Sequence, residues 1–248
     1  MEIKTGSEID RMKKAGRLAG LTLRELGRHV VPDITTKELD KIGENFIRQG
    51  GGIPTFIGYR GYPASICVSI NEEVVHGIPG NRKIKEGDVV SIDVAATLDG
   101  YVGDTAATFA VGKISKEAEK LIRVTAESLE AGINAMKIGG RLGDIGGAVQ
   151  KVAENNHFGV VRDFVGHGIG RAMHEEPAVP NYGEPGTGMR LDKGLVIAIE
   201  PMITMGDWNV EVLEDGWTVV TKDNSLAAHF EHTVALAENG PIILTKVD

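Results

Sequence analysis

Hydrophobic spacing along the chain changes period twice, in the same order each time. Residues 7–30, "SEIDRMKKAGRLAGLTLRELGRHV", place apolar side chains three or four apart and predict an amphipathic helix with Ser7 as its N-cap. A proline turn and a Thr35-to-Glu38 capping box then open a second helix, which the glycines after Gln49 stop. "SICVSI", "VVSIDVA" and "YVGDTAATFAV" follow as strands. From residue 115 the order recurs: the helix "SKEAEKLIRVTAESLEAGINAMK", then a turn and second helix in "IGGRLGDIGGAVQKVAENN". The strand-like runs "GVVRDFVGHGIG", "GLVIAIEPMI", "WTVVTKD" and "HFEHTVALAENG" complete it. An offset near 107 lays "VVSIDVA" on "LVIAIEP", and so Asp93 on Glu200; the closing strands set Asp104 against Glu231. The pattern predicts one domain, 1–248, of class α+β, with pseudo-symmetric halves of about 1–111 and 112–248.

Composition narrows the function classes. A chain of 248 residues can bury a full core. Its net charge of -8 excludes a whole-chain electrostatic footprint for nucleic acid or anionic membrane, and "RMKK" reads as a solvated helix face. The single cysteine, Cys67, excludes an internal disulfide and a cysteine-based zinc site. The first residues are polar, with no apolar signal core, and no run is apolar enough to span a bilayer. A cytoplasmic location, no membrane and no nucleic-acid partner are the expectations.

The acidic residues inside apolar runs carry the chemistry. Asp93 and Asp104 each interrupt a strand of the hairpin 89–111. A turn at Leu98-Asp99 would set them directly opposite, and one at Asp99-Gly100 diagonal; either keeps them on one face, because side chains alternate with period two. Glu200 in "IAIEPM" and Glu231 in "HFEHT" are acids in the same kind of setting, and His167 in "VGHGIG" is open to close approach between glycines. Clustered carboxylates without counter-charge repel and push one another toward protonation. Two divalent cations would neutralise them nearly charge for charge.

The segments "SIDVAATLDGYVGDTA", "GHGIGRAMHEEP", "AIEPM", "HFEHT" and "GYRGYPASICVSINEEVVHGIPG" together resemble the type I methionine aminopeptidases, over essentially the whole chain. That resemblance implies the "pita-bread" α+β fold, with two pseudo-symmetric halves around a dinuclear metal centre. It implies Asp93, Asp104, His167, Glu200 and Glu231 as metal ligands, with Asp104 and Glu231 bridging the two ions. It implies His76 and His174 as catalytic residues that contact substrate, with Glu200 passing a proton from the attacking water to the leaving amine. Tyr59, Tyr62, Cys67 and Trp217 match the lining of the methionine pocket; Phe56 stands where some members have cysteine, and Met173 where some have phenylalanine.

An oxygen-rich donor set of this kind suits manganese, iron(II) or cobalt(II) at least as well as zinc. The family also has a monovalent-cation site, onto which Asn71 and Ser69 fall. The implied reaction is removal of N-terminal methionine from nascent polypeptides with a free amine and a small second residue, by metal-activated hydroxide. A transient ribosome contact goes with that reading, and a monomer is the expectation because no long exposed apolar stripe stands out in the sequence. The rivals are a proline-directed peptidase of the same fold, and a non-catalytic binding module. The first usually carries an N-terminal domain, and the second typically loses ligands.

Overall fold

The computed structural model describes residues 2–247. Helices α1 (Gly6–His29) and α2 (Thr36–Gln49) lead into β1 (Ile53–Pro54), β2 (Cys67–Ile70), β3 (Glu73–Val75) and the long hairpin β4 (Val89–Leu98) and β5 (Tyr101–Ala110). Helices α3 (Lys116–Ala135) and α4 (Leu142–Asn155) lead into β6 (Gly159–Val160), β7 (Gly166–Gly168), β8 (Glu175–Val179), β9 (Val196–Ile199) and β10 (Met202–Thr204). Then come β11 (Val210–Val212), β12 (Val219–Thr221), β13 (Ala227–His229), β14 (Glu231–Ala237) and β15 (Gly240–Ile243). Among the described residues no helix is long and apolar enough to cross a membrane.

The first helix starts two residues earlier than its sequence pattern implied. Thr5, not Ser7, is the N-cap: Glu8 N donates to Thr5 Oγ1, and Thr5 N donates back to Glu8 Oε2 at 2.9 Å. The Thr-x-x-Glu spacing satisfies two orphan donors reciprocally, which Ser7, inside the first turn, cannot do. The Thr35–Glu38 box forms as expected.

Among the described residues the main sheet has nine strands, ordered β1-β4-β5-β14-β9-β7-β8, with β2 on β4 and β15 on β14. Its centre is the antiparallel contact of β5 with β14, one strand from each half of the chain. Val90, Ile92, Val94 and Ala96 of β4 pack with Leu18, Leu23 and Leu26 of α1 and Leu39 and Ile47 of α2. Ser91, Asp93 and Ala95 therefore point from the other face.

Two runs that read as single strands each divide between sheets. "GLVIAIEPMI" gives β9 in the main sheet and β10 in a three-stranded sheet with β13 and β6, the break lying at Glu200-Pro201. "HFEHTVALAENG" divides at Phe230 into β13 and β14 in the same way. Proline has no N–H to continue a ladder, so β9 ends where Pro201 begins. The chain thus changes sheets beside both second-half glutamates.

Glycine allows α1 to lie directly on β5. A Cβ added at Gly103 would come within 2.4 Å of Gly16 Cα and N, and one at Gly16 within 2.6 Å of the Leu244 carbonyl oxygen. All of these are backbone atoms, so no side chain can rotate away. Gly103→Ala is expected to destabilise the protein by about 3 kcal/mol, about 6–12 °C in Tm by differential scanning calorimetry. A Tm within 2 °C of the parent would show that the crossing has slack.

Candidate active site

The register of the main sheet gathers the acids. The hairpin turns at Asp99 (φ 51°) and Gly100 (φ 76°), both left-handed, as a two-residue turn matching the strand twist requires. Leu98 pairs with Tyr101, so Asp93 faces Ala106 and Ala95 faces Asp104: the diagonal register of the two that the sequence allowed. Across the centre, Ala106 also pairs with Glu231 of β14. Farther along, Thr233 pairs with Ala198 of β9, and Ala198 with His167 of β7. Asp93, Asp104, Glu231 and His167 therefore project from one face, in two neighbouring rows across five adjacent strands. Glu200 follows the last residue of β9 and closes the group.

Side chains fasten the backbone that the ladder leaves free. Thr233 Oγ1 accepts from Asp104 N at 3.0 Å and donates to Asp104 O at 2.8 Å. Thr105 Oγ1 donates to the Glu231 carbonyl at 2.8 Å, and Asn181 Nδ2 to the Glu200 carbonyl at 3.0 Å.

Atoms of Asp104, His167 and Glu231 lie mutually within 4.8 Å, and His167 Nε2 is 3.5 Å from Glu200 Oε1 and 3.9 Å from Asp104 Oδ2. His167 Nδ1 is 2.9 Å from the Gly168 carbonyl oxygen; donating to it leaves Nε2 as a lone pair aimed at the acids. Asp104 and Glu231 are 4 % and 2 % exposed. Asp93 Oδ1, Asp104 Oδ1 and Glu231 Oε1 are buried with no hydrogen-bond donor. Burial pushes all four carboxyls up: Asp104 to about 7, and Asp93, Glu200 and Glu231 well above the usual range, with neighbouring carboxylate charge adding to each of these three.

The same cause holds the histidines neutral. Burial lowers His167, takes His76 and His174 to about 4, and takes His229 to about 3. Acceptor oxygens without donors, neutral imidazole and no lysine among the lining residues make a donor set that fits divalent cations and little else.

A cavity of about 240 Å³ opens above the acids. The thirteen residues assigned from the sequence to the metal and substrate sites line it: the five above, His76, His174, Phe56, Tyr59, Tyr62, Cys67, Met173 and Trp217. Tyr62 packs edge-on to Trp217 at 5.0 Å and to Phe56 at 6.1 Å. The Tyr59 hydroxyl is 2.8 Å from His174 Nδ1, and the His174 ring lies 4.1 Å from that of His167. His76 meets Phe164 edge-on at 5.6 Å. Asn71 stands outside the cavity. Its amide nitrogen donates to Asp88 Oδ1, its amide oxygen accepts from Val89 N, and its carbonyl accepts from Ala227 N.

Sequence reasoning left out several lining residues: Arg60, Val75, Phe164, Val165 and Met202. It also left His229 unassigned, the last residue of β13, which ends two residues before Glu231 opens β14. The buried His229 Nε2 has no hydrogen-bond partner and lies 3.8 Å from Glu200 Oε2.

The chain's likenesses agree with this geometry. The pattern of metallopeptidase family M24 matches residues 10–238. A methionine aminopeptidase of Clostridium perfringens is 54% identical over 245 residues, covering 99% of this chain and 98% of that one. The crystal structure of methionine aminopeptidase from Thermotoga maritima superposes with a TM-score of 0.98 at 49% identity, covering 100% of both chains. A prolidase from Pyrococcus horikoshii, at 20% identity and TM-score 0.79, shares the fold alone; the match covers 99% of this chain and 64% of that one.

The buried carboxyls predict how the metal-free protein responds to pH. Their folded pKa values lie above the unfolded ones, so folding holds extra protons, and stability falls as pH rises from about 4 through the folded values. The histidines are shifted down and act oppositely, but only below about 6.5, where the unfolded rings charge. Above that, the carboxyls act alone. Tm without metal is expected to drop by about 5 °C or more between pH 6.5 and 8.5, and manganese should raise it more at pH 8.5 than at 6.5. A flat Tm over that window would mean the carboxyls are already ionised.

Proposed function

The chain belongs to metallopeptidase family M24, and from that premise we infer how its site removes the N-terminal methionine of a peptide, the activity for which its near relatives are named. The observation that carries the reading is the floor of the cavity, where carboxylate oxygens of Asp93, Asp104 and Glu231 are buried without donors beneath an apolar pocket. The likeness to a prolidase is one of fold, and nothing in the pocket favours proline.

We assign Asp93, Asp104, His167, Glu200 and Glu231 as the holders of two divalent ions, of the manganese, iron(II) or cobalt(II) kind. When bound, these ions supply acidified water and an anchor for the substrate's free amine. We assign Glu200 as the proton carrier: it follows the last residue of β9 at the edge of the acid cluster, and burial with the Asp104 charge raises its pKa above that of an exposed carboxyl.

His174 is neutral at pH 7. With the Tyr59 hydroxyl donating to Nδ1, its ring proton sits on Nε2 and donates to the carbonyl oxygen as charge develops there. His76, also neutral, is held edge-on by Phe164 and Trp217 to serve as a second donor. Each neutral histidine keeps one N–H to donate.

The methionine side chain occupies the wall of Phe56, Tyr62, Cys67, Met173 and Trp217. Burial, with the Asp93 charge, pushes the Cys67 thiol well up, so it packs as a small apolar group and attacks nothing. A cavity of 240 Å³ falls below the usual ligand range of about 300–1,000 Å³, which suits one long side chain followed by a small residue. The substrate is thus a newly made chain with a free amine, an N-terminal methionine and a small second residue.

Metal-stripped protein given manganese, iron(II) or cobalt(II) is expected to release methionine from Met-Gly-Met-Met and not from Met-Leu-Met-Met. Glu200→Gln should lower kcat by about 10²–10⁴-fold with the glycine peptide. Equal cleavage of both peptides would remove the second-residue rule, and silence on both with metal bound would remove the activity.

A further inference from the structure

Lys4 is the buried lysine among the described residues, 5 % exposed, although it lies in the short arm before α1. An ammonium in that position needs anionic partners, and Lys4 Nζ has two, Glu2 Oε2 and Glu175 Oε2, both at 2.7 Å. They are not equivalent. Glu2 is 71 % exposed and gains little from the pairing, whereas Glu175 is 15 % exposed, so the Lys4–Glu175 pair is the desolvated one. Burial alone would lower the Lys4 pKa, but the bonds to the two glutamates outweigh it and hold it above the usual value. The arm is fixed at its own end too: Lys4 N donates to the Gly194 carbonyl at 2.8 Å, and Thr5 caps α1.

Glu175 directly follows His174, at the end of the turn joining β7 to β8. Its second oxygen accepts from Ala172 N at 3.2 Å, across the turn, while Gly170 N donates to the Ala172 carbonyl at 3.1 Å. Lys4 lies close against the turn, since a Cβ added at Gly170 would fall 2.6 Å from its Nζ. The turn so fastened carries Met173, of the pocket wall, and His174.

We propose that Lys4 is a positioning residue for His174: its buried ion pair with Glu175 sets the turn that aims the imidazole into the cavity. The N-terminal arm then acts on the reaction without touching substrate. This rests on the role given to His174 above, and the test separates the two.

Lys4→Met, Glu175→Gln and His174→Ala, with Lys4→Met/His174→Ala and Glu175→Gln/His174→Ala, are assayed on Met-Gly-Met-Met. Manganese Kd is read separately from the electron paramagnetic resonance of the free ion. Lys4→Met and Glu175→Gln should each lower kcat about 10-fold, with KM and the manganese Kd within about twofold; a misplaced group costs rate rather than ground-state binding. In the His174→Ala background both should lower kcat less than about twofold, because residues acting through one group are not additive. The proposal is overturned if the loss persists in that background, if manganese affinity falls in step with kcat, or if kcat is unchanged. Should Lys4→Met fail to fold, Glu175→Gln carries the same criteria. A His174→Ala enzyme with parental kcat would remove the His174 role itself, and the proposal with it.

Discussion

Everything in this molecule answers to the cost of placing four carboxylates side by side out of water. A single buried carboxylate is expensive, and neighbours of like charge raise the cost further. Among the described residues the cavity lining holds no lysine, and its one arginine, Arg60, is exposed and lies over the Tyr59 ring. Without cations the acids can exist only by taking up protons, which is the direction in which burial drives Asp93, Asp104, Glu200 and Glu231. Divalent cations relieve the cost, so the metal requirement and the fold's architecture are two aspects of one constraint.

That constraint explains where the rigid parts lie. Acids that must meet within a few ångströms are set by strand register, which fixes side chains more tightly than loops do. Two of them come from the first half of the chain and two from the second, and β5 and β14 join the halves at the centre of the sheet. The ladder between these two strands is short, Glu231 with Ala106 and His232 with Thr105. Thr233, Thr105 and Asn181 make up the difference by bonding the backbones of Asp104, Glu231 and Glu200. The two histidines assigned to the substrate lie outside the strands. His174 is on a turn, and His76 has a left-handed backbone (φ 61°) just after β3. Each is braced by an aromatic side chain, Tyr59 for the former and Phe164 for the latter.

The helices were legible in the sequence because their signal is local. The Thr35–Glu38 box and the apolar spacing of the other helices need no distant partner to be recognised. The missed start at Thr5 was local too, a second Thr-x-x-Glu pattern passed over in favour of Ser7. The strands were legible only in part. An apolar run marks burial but not the sheet in which it is buried, so the changes of sheet at Pro201 and Phe230 were invisible until pairing was known. His229 carried no assignment from the sequence, because its approach to Glu200 depends on strands far apart in the chain.

The sequence by itself determined the chemistry: which acids interrupt apolar strands, that one cysteine and no cationic cluster accompany them, and that the pattern occurs twice. Alternation with period two settled that Asp93 and Asp104 share a face. Only the tertiary structure decided the rest. It chose the diagonal register through the turn at Asp99-Gly100, placed Glu231 against Ala106, and carried Lys4 from the N-terminal arm to Glu175. The reason is one of range. Spacing and side-chain type act over a few residues of chain, whereas the neutralisation of a buried charge depends on groups that only the folded backbone brings within hydrogen-bonding distance.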